Sequence, residues 1–125
     1  MNKIFKTLLL ALALTGYGNA VLAHTEHGQP QYGCVVAEAG EAQIEIVSKD
    51  GQLTAYLSNH GYPVPAAGAS GKLVAMAGTA KSEFELKATG DNRLQGAGSV
   101  SAGAKLLITV QWPGKKPLQA RAVMR

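Results

Sequence analysis

The chain has 125 residues and a mass of 13.0 kDa, which is enough for one domain and too little for a large multidomain enzyme. Hydrophobic residues make up 46% of the sequence and charged residues 16%, which excludes a disordered, collagen-like or coiled-coil protein. The net charge is +4, but the cations are scattered and are not interleaved with aromatic residues, so we expect no nucleic-acid binding.

The chain begins with the pattern of a secretory signal peptide. Lys3 and Lys6 precede the apolar run Leu8–Leu14, and Val21–Ala23 offers the small or modest side chains that signal peptidases recognise. The apolar run is much shorter than the roughly 20 residues needed to cross a bilayer. We therefore predict that residues 1–23 are removed on export and that the mature chain has no membrane span.

Residues 24–40 are predicted to form a flexible arm, because the segment is polar, contains glycine and is rich in side chains that bind metals. Cleavage before His24 would make it the first residue. Its α-amine and imidazole would then close one chelate ring on a Cu(II) ion, which nitrogen donors hold tightly. His27 and Glu26 would complete a set of nitrogen and oxygen ligands. The alternative is that these histidines belong to a solvated tail.

The arm also contains Cys34, the only cysteine of the chain. It cannot form an internal disulfide, so the domain must be stabilised by its apolar core. As a soft donor, Cys34 is a candidate ligand for Cu(I). The alternatives are a buried small side chain and a thiol that is open to intermolecular pairing.

From residue 41 onward, apolar and polar residues alternate with the period of two that is typical of half-buried strands. The first two strands are predicted to form a hairpin around Lys49–Gly51. The segment Asn59–Pro65 contains two prolines, so we expect a loop or a sheet edge there. His60 in this segment is a further candidate metal ligand, and the alternative is a side chain that hydrogen-bonds to the backbone.

The strongest predicted strand is Leu106–Trp112, in which alternate residues are apolar. A turn that contains Lys115–Lys116 leads from it to the last strand. Met76 and Met124 are expected to fill the core or a sheet edge rather than to bind copper. About seven short strands and no amphipathic helix predict that residues 41–125 form an antiparallel immunoglobulin-like β-sandwich, with a small β-barrel as the alternative.

Motifs of the common enzyme classes are incomplete in this sequence. Gly68–Lys72 lacks the spacing of a phosphate-binding P-loop, and Gly96–Gly98 lacks the third glycine of a dinucleotide-binding motif. The sequence contains neither a nucleophile elbow nor a His-Glu-x-x-His motif. We therefore expect that the protein is not an enzyme, although its residue types leave a Cys/His couple open.

A resemblance to a known group of proteins is carried by five short, turn-rich segments, which follow one another in the order Lys49–Thr54, Gly68–Lys72, Gly90–Leu94, Gly103–Lys105 and Gln119–Arg121. Together with the signal peptide and the histidine-containing arm, this order resembles that of small, mostly uncharacterised periplasmic proteins associated with copper and heavy-metal efflux systems. The resemblance implies a periplasmic protein that binds a metal ion, with copper as the expected cofactor.

The chain departs from this pattern in two places. The resemblance implies a His-Gly-Gly motif where the chain reads Gln31–Gly33, and a histidine where it has Gln43. An amide does not replace imidazole as a metal ligand, so only His24, His27 and His60 carry over. A second, looser resemblance is to secreted copper-resistance β-sandwiches that begin with a histidine.

These patterns predict a periplasmic metal-binding accessory protein of metal efflux or homeostasis that holds a copper ion through its N-terminal arm. A periplasmic efflux component is the expected protein partner. The alternative is a protein-interaction module that docks to an envelope or efflux-adaptor assembly, with the histidines incidental. The predicted metal ligands are His24, Glu26, His27, Cys34 and His60.

Overall fold

The computed structural model describes residues 30–125 as strands joined by short turns and loops, with no helix among them. The prediction of an all-β protein is confirmed. The period-two alternation accounts for this outcome, since each strand places alternate side chains on the core. The strands are β1 Val35–Ala39, β2 Ala42–Lys49, β3 Gln52–Asn59, β4 Tyr62–Pro63, β5 Ser70–Ala77, β6 Ala80–Gly90, β7 Arg93–Ala97, β8 Lys105–Gln111 and β9 Leu118–Val123.

All the strands of the described chain belong to one antiparallel sheet, in which neighbours follow the order β1-β2-β3-β7-β6-β5-β8-β9. The short β4 pairs with β3 beside this path. The end strands β1 and β9 lie against each other, so the sheet is nearly closed into a barrel.

The structure contains more strands than the seven or so that the sequence predicts. β1 lies in the segment assigned to the arm, and it pairs with β2 from Val35 opposite Ile46 to Ala39 opposite Ala42. Gly40, with a φ of 63°, lies in the tight turn between the two strands. The sequence signal is weak here because alanine is depleted in strands. The other additional strand, β4, has only two residues.

The core is filled by aliphatic side chains that alternate along the strands. In β8, Leu106, Ile108 and Val110 are buried, as their alternation predicts. Trp112 follows them and packs half-buried against the core. Because Cys34 is not in a disulfide, burial of this apolar surface stabilises the domain. The largest fully buried side chains are Ile44, Ile46, Leu53, Leu57, Leu73, Leu86, Leu94, Ile108 and Val110.

Two hairpin turns share the same backbone conformation. Asp50 and Gly51 connect β2 to β3 with φ angles of 53° and 74°, and His60 and Gly61 connect β3 to β4 with φ angles of 48° and 82°. Two consecutive positive φ angles are typical of a type I′ turn, whose twist matches that of the flanking strands. The predicted hairpin around Lys49–Gly51 is therefore confirmed, and His60 occupies the first central position of a second such turn.

β6 and β7 approach each other closely at Gly96. A Cβ atom at this position would collide with the backbone carbonyl oxygen of Glu85 and with the side chain of Leu86. Gly98 has a φ of 147°, and a Cβ atom there would collide with the ring of Phe84. Both glycines therefore allow the backbone to pack where a side chain would not fit.

Candidate functional site

Two of the five predicted metal ligands lie in the described part of the chain. His24, Glu26 and His27 lie outside it, so the structure places only Cys34 and His60. Cys34 is half-buried and immediately precedes β1, whereas His60 is exposed in the turn between β3 and β4.

Cys34 and His60 lie near opposite ends of β2. The strand residue that follows Cys34 pairs with Ile46, whereas the one that precedes His60 pairs with Ala42. Four residues of extended strand separate these two pairings by roughly 13 Å. Metal–ligand bonds are only about 2 Å long, so the structure does not bring Cys34 and His60 together.

His60 faces a carboxylate from the neighbouring turn between β1 and β2. Its Nε2 atom is 3.8 Å from Oε2 of Glu41, and the two side chains are 54% and 81% exposed. An ion pair at this exposure contributes little to stability. An imidazole nitrogen and a carboxylate oxygen are, however, ligand types that Cu(II) and Zn(II) accept. The His60–Glu41 pair is therefore a candidate half-site for a metal ion.

Residues 30–125 do not form a complete metal site by themselves. This part of the chain holds no group of three or more His, Cys, Asp or Glu side chains that could bind one ion. The His60–Glu41 pair would therefore need additional ligands from the arm.

A buried carboxylate organises the root of the arm. Glu45, in the middle of β2, is only 5% exposed. Its carboxylate accepts the backbone N–H groups of Gln31 at 2.6 Å and Tyr32 at 2.7 Å, and a longer bond from the N–H of Cys34 at 3.4 Å. Hydrogen bonds to an ionised acceptor are roughly twice as strong as neutral ones. This carboxylate therefore holds residues 31–34 against the sheet.

An aromatic stack lies beside the Glu45 carboxylate. The rings of Tyr32 and Tyr56 are nearly parallel, at 13°, and their centroids are 3.7 Å apart. Tyr56 is the β3 residue that pairs with Glu45, so the carboxylate and the stack hold the same short segment. We call the arrangement of Glu45, Tyr56 and residues 31–34 the arm anchor.

The sequence contains only part of the signal for the arm anchor. Ile44 and Ile46 face the core, so alternation places Glu45 on the outer face, where a charged side chain is expected to be exposed. Its burial comes from residues 31–34, whose hydrogen-bonding members are 11 to 14 positions away. The alternation therefore predicts the face that Glu45 occupies but not the segment that covers it.

The two methionines of the domain and the two adjacent lysines lie in the core or on the surface. Met124 is buried in the core, as expected, whereas Met76 is 44% exposed on the outer face of β5. Met76 differs from the expectation because it shares a strand face with Val74 and not with the buried Leu73. Lys115–Lys116 lies in the exposed turn between β8 and β9, as predicted.

Comparisons with known proteins do not assign a function: no protein family, curated protein or solved structure matches the chain. In the part of the chain that the structure describes, no helix has the length and hydropathy needed to span a membrane. A functional assignment therefore depends on the geometry of the arm anchor and on the chemistry of the arm residues.

Proposed function

We propose that the protein is exported to the periplasm and binds copper, or a related metal ion, through its N-terminal arm as an accessory of metal efflux or homeostasis. The observation that carries this proposal is the arm anchor, which holds residues 31–34 on the sheet a few positions after His24, Glu26 and His27 in the sequence. Because one end of the segment is fixed, these ligands sample a smaller volume, which raises their effective concentration near the His60–Glu41 pair.

The segment before the arm anchor is long enough to reach the His60–Glu41 pair. His24 is six residues before Pro30, and an extended chain spans at most about 3.3–3.6 Å per residue, so this segment covers up to roughly 20 Å. The His60–Glu41 pair lies roughly 13 Å along β2 from Glu45. The pair can therefore supply one nitrogen and one oxygen donor to an ion that the arm holds.

The donor types favour copper. An α-amine, two imidazoles and a carboxylate form a nitrogen and oxygen set of the kind that holds Cu(II) in square geometry, and Cu(II) is the divalent ion that such sets bind most tightly. Cys34 is a soft donor that suits Cu(I). Because the arm anchor includes its backbone N–H, Cys34 stays at the root of the arm while His24 and His27 lie further along it.

We also infer that the sheet forms a small barrel rather than an immunoglobulin-like sandwich. The support is a single unbroken strand order whose end strands β1 and β9 lie in contact. A sandwich would instead divide the strands between two sheets that pack face to face about 10 Å apart. Nuclear Overhauser effects between β1 and β9 test this inference, because the closed arrangement brings the two end strands into contact, and their absence would contradict it.

The test of the metal proposal titrates two forms of the mature protein with Cu(II). Calorimetry measures the affinity, and electron paramagnetic resonance reports the ligands of the bound ion. One form begins at His24 with a free α-amine, and the other is acetylated on that amine. Acetylation leaves the imidazole in place but removes the terminal amine as a ligand. We expect the acetylated form to bind Cu(II) at least tenfold more weakly, as lost chelation predicts.

Two outcomes would overturn this assignment. If both forms bind equally weakly, the protein does not act through copper and the interaction module is favoured. If both bind equally tightly, metal binding stands but the ion is held by other ligands. Mass spectrometry of the exported protein provides the necessary control, because it determines whether the mature chain begins at His24.

A second candidate function is the interaction module that the sequence leaves open. It is favoured by a solvent-exposed apolar cluster on the outer face of β5, β8 and β9, which includes Met76 and Val123. This cluster is independent of the arm and supports a more specific inference.

A further inference from the structure

The outer face of β5, β8 and β9 carries an apolar cluster that is open to solvent. Val74 pairs with Leu107, while Met76 and Val123 pair with Lys105 from its two sides, so the four apolar side chains share one face. Met76 is 44% exposed and Val123 is 53% exposed. Single exposed apolar residues are normal on protein surfaces, whereas a group of them on one face is a candidate interaction surface.

Three cations lie among or beside the apolar side chains. Lys81 and Lys105 pair with Met76 from its two sides, and Arg121 pairs with Leu107. The cations and the apolar side chains together line a shallow groove of about 680 Å³. We call this feature the cationic groove.

Two of the three cations are not neutralised by a neighbouring carboxylate. The Nζ atom of Lys81 lies 3.3 Å from Oε1 of Glu83. The other carboxylate oxygen of Glu83, Oε2, lies 3.3 Å from Nζ of Lys72. Among residues 30–125, neither Lys105 nor Arg121 takes part in an ion pair. The groove therefore combines a local positive charge with exposed apolar surface.

We propose that the cationic groove binds an acidic, amphipathic segment of another protein. An aliphatic side chain of this segment lies on Val74 and Leu107, and neighbouring carboxylates reach Lys105 and Arg121, which flank Leu107 along β8 and across the ladder on β9. Charge complementarity supports this occupant, because opposite charges steer association and fix orientation. The inference does not depend on metal binding by the arm.

Two other occupants fit the groove less well. A second copy of the chain, docked by the same face, would place two positive grooves against each other, which like-charge repulsion opposes. Anionic membrane surfaces are typically recognised by clusters of about four to eight Lys or Arg residues, more than the groove provides.

The test is a titration of the ¹⁵N-labelled, copper-free protein, followed through its amide chemical shifts. The probe is an extended peptide with the sequence Glu-Ser-Leu-Ser-Glu (the Glu–Leu peptide), in which Glu and Leu share one face. The controls are one peptide with Lys in place of Glu and one with Ser in place of Leu (the Glu–Ser peptide). We expect shifts confined to β5, β8, β9 and the neighbourhood of Lys81 in β6 with the Glu–Leu peptide alone. Shifts elsewhere, or equal shifts with the Glu–Ser peptide, would overturn the proposal.

Charge-reversal variants separate the groove from the overall charge of the protein. Lys105→Glu combined with Arg121→Glu reverses the two unpaired cations, and Lys49→Glu combined with Lys116→Glu makes the same change of net charge at exposed positions elsewhere. All four side chains are exposed, so both variants are expected to fold. We expect the first pair to weaken Glu–Leu peptide binding about tenfold and the second at most about twofold. Equal weakening would contradict a local site.

Two further measurements distinguish the other occupants. Flotation with vesicles of phosphatidylcholine alone, or mixed with phosphatidylglycerol, tests the membrane. Binding to the anionic vesicles without peptide binding, and its loss in the groove variant, would assign the groove to lipid and overturn the proposal. Sedimentation at increasing protein concentration tests self-association, and a dimer that the groove variant abolishes would overturn it in favour of a second copy.

Discussion

The carboxylate of Glu45 accepts the backbone N–H of Tyr32 at 2.7 Å, from a position in β2 that is 5% exposed. The two residues are 13 positions apart, so the bond ties the root of the arm to the second strand of the sheet. The stacked ring of Tyr56 strengthens this tie from the neighbouring strand. The arm is therefore held on the domain at a defined place before β1 begins.

Removal of the Glu45 carboxylate should release the arm. We expect Glu45→Ala to lower the free energy of unfolding by about 1–3 kcal/mol, because the N–H groups of Gln31 and Tyr32 lose a charged acceptor. Urea unfolding measures this change, and hydrogen exchange should show faster exchange at both amides. Glu38→Ala, at an exposed position of β1, is the matched control. Exchange at wild-type rates in the Glu45 variant would contradict an anchoring role.

His60 can be replaced without disturbing its turn. We expect His60→Asn to keep wild-type stability, because asparagine tolerates the φ of 48° at this position. His60→Val should destabilise the turn, since a β-branched residue does not adopt a positive φ readily. If His60 contributes to the metal site, His60→Asn also lowers Cu(II) affinity several-fold, as the loss of one nitrogen ligand predicts. Unchanged affinity in calorimetry would remove His60 from the ligand set.

The close approach at Gly96 predicts a severe packing defect. We expect Gly96→Ala to cost about 3 kcal/mol or more, because its Cβ atom would collide with the backbone oxygen of Glu85, which cannot move without distorting the ladder. Gly71→Ala is the comparison, since its Cβ atom would lie 3.2 Å from the Cβ atom of Leu86 and would require only a small shift. The midpoint of thermal unfolding should be clearly lower for Gly96→Ala than for Gly71→Ala, and the reverse order would contradict the described packing.

The carboxyl group of Glu83 should titrate at unusually low pH. Hydrogen bonds from Lys81 and Lys72, together with their positive charges, lower the pKa of Glu83 below its ordinary value. A lowered pKa in the folded state means that its stabilising effect is present above the unfolded-state pKa and is lost as pH falls through the folded-state pKa. Carboxyl NMR titration measures this pKa, and the combination of Lys81→Met with Lys72→Met should raise it. A pKa that does not change in the double variant would contradict the proposed cause.

Local patterns in the sequence predict much of the fold. The alternation of Leu106, Ile108 and Val110 correctly identifies the buried face of β8, because burial on one side of a strand imposes a period of two. The turn at Asp50–Gly51 is predicted for a similar reason, since few residue types accept two consecutive positive φ angles.

Features that depend on distant parts of the chain could not be predicted in this way. β3 pairs with β7, and β5 pairs with β8, so the order of the sheet depends on contacts that no local pattern encodes. The burial of Glu45 has the same origin, because the segment that covers it belongs to the arm. The sequence predicts only one member of the His60–Glu41 pair, because it singles out the histidine but not the carboxylate from the neighbouring turn.

Two of the strands that carry the cationic groove are hydrogen-bonded on both sides, since β5 runs between β6 and β8, and β8 runs between β5 and β9. Backbone held in this way loses little further freedom when another molecule settles on it. Most of the conformational entropy lost on association would then be lost by the partner segment. A segment that is already helical or extended in solution should therefore bind more tightly than a flexible segment of the same composition.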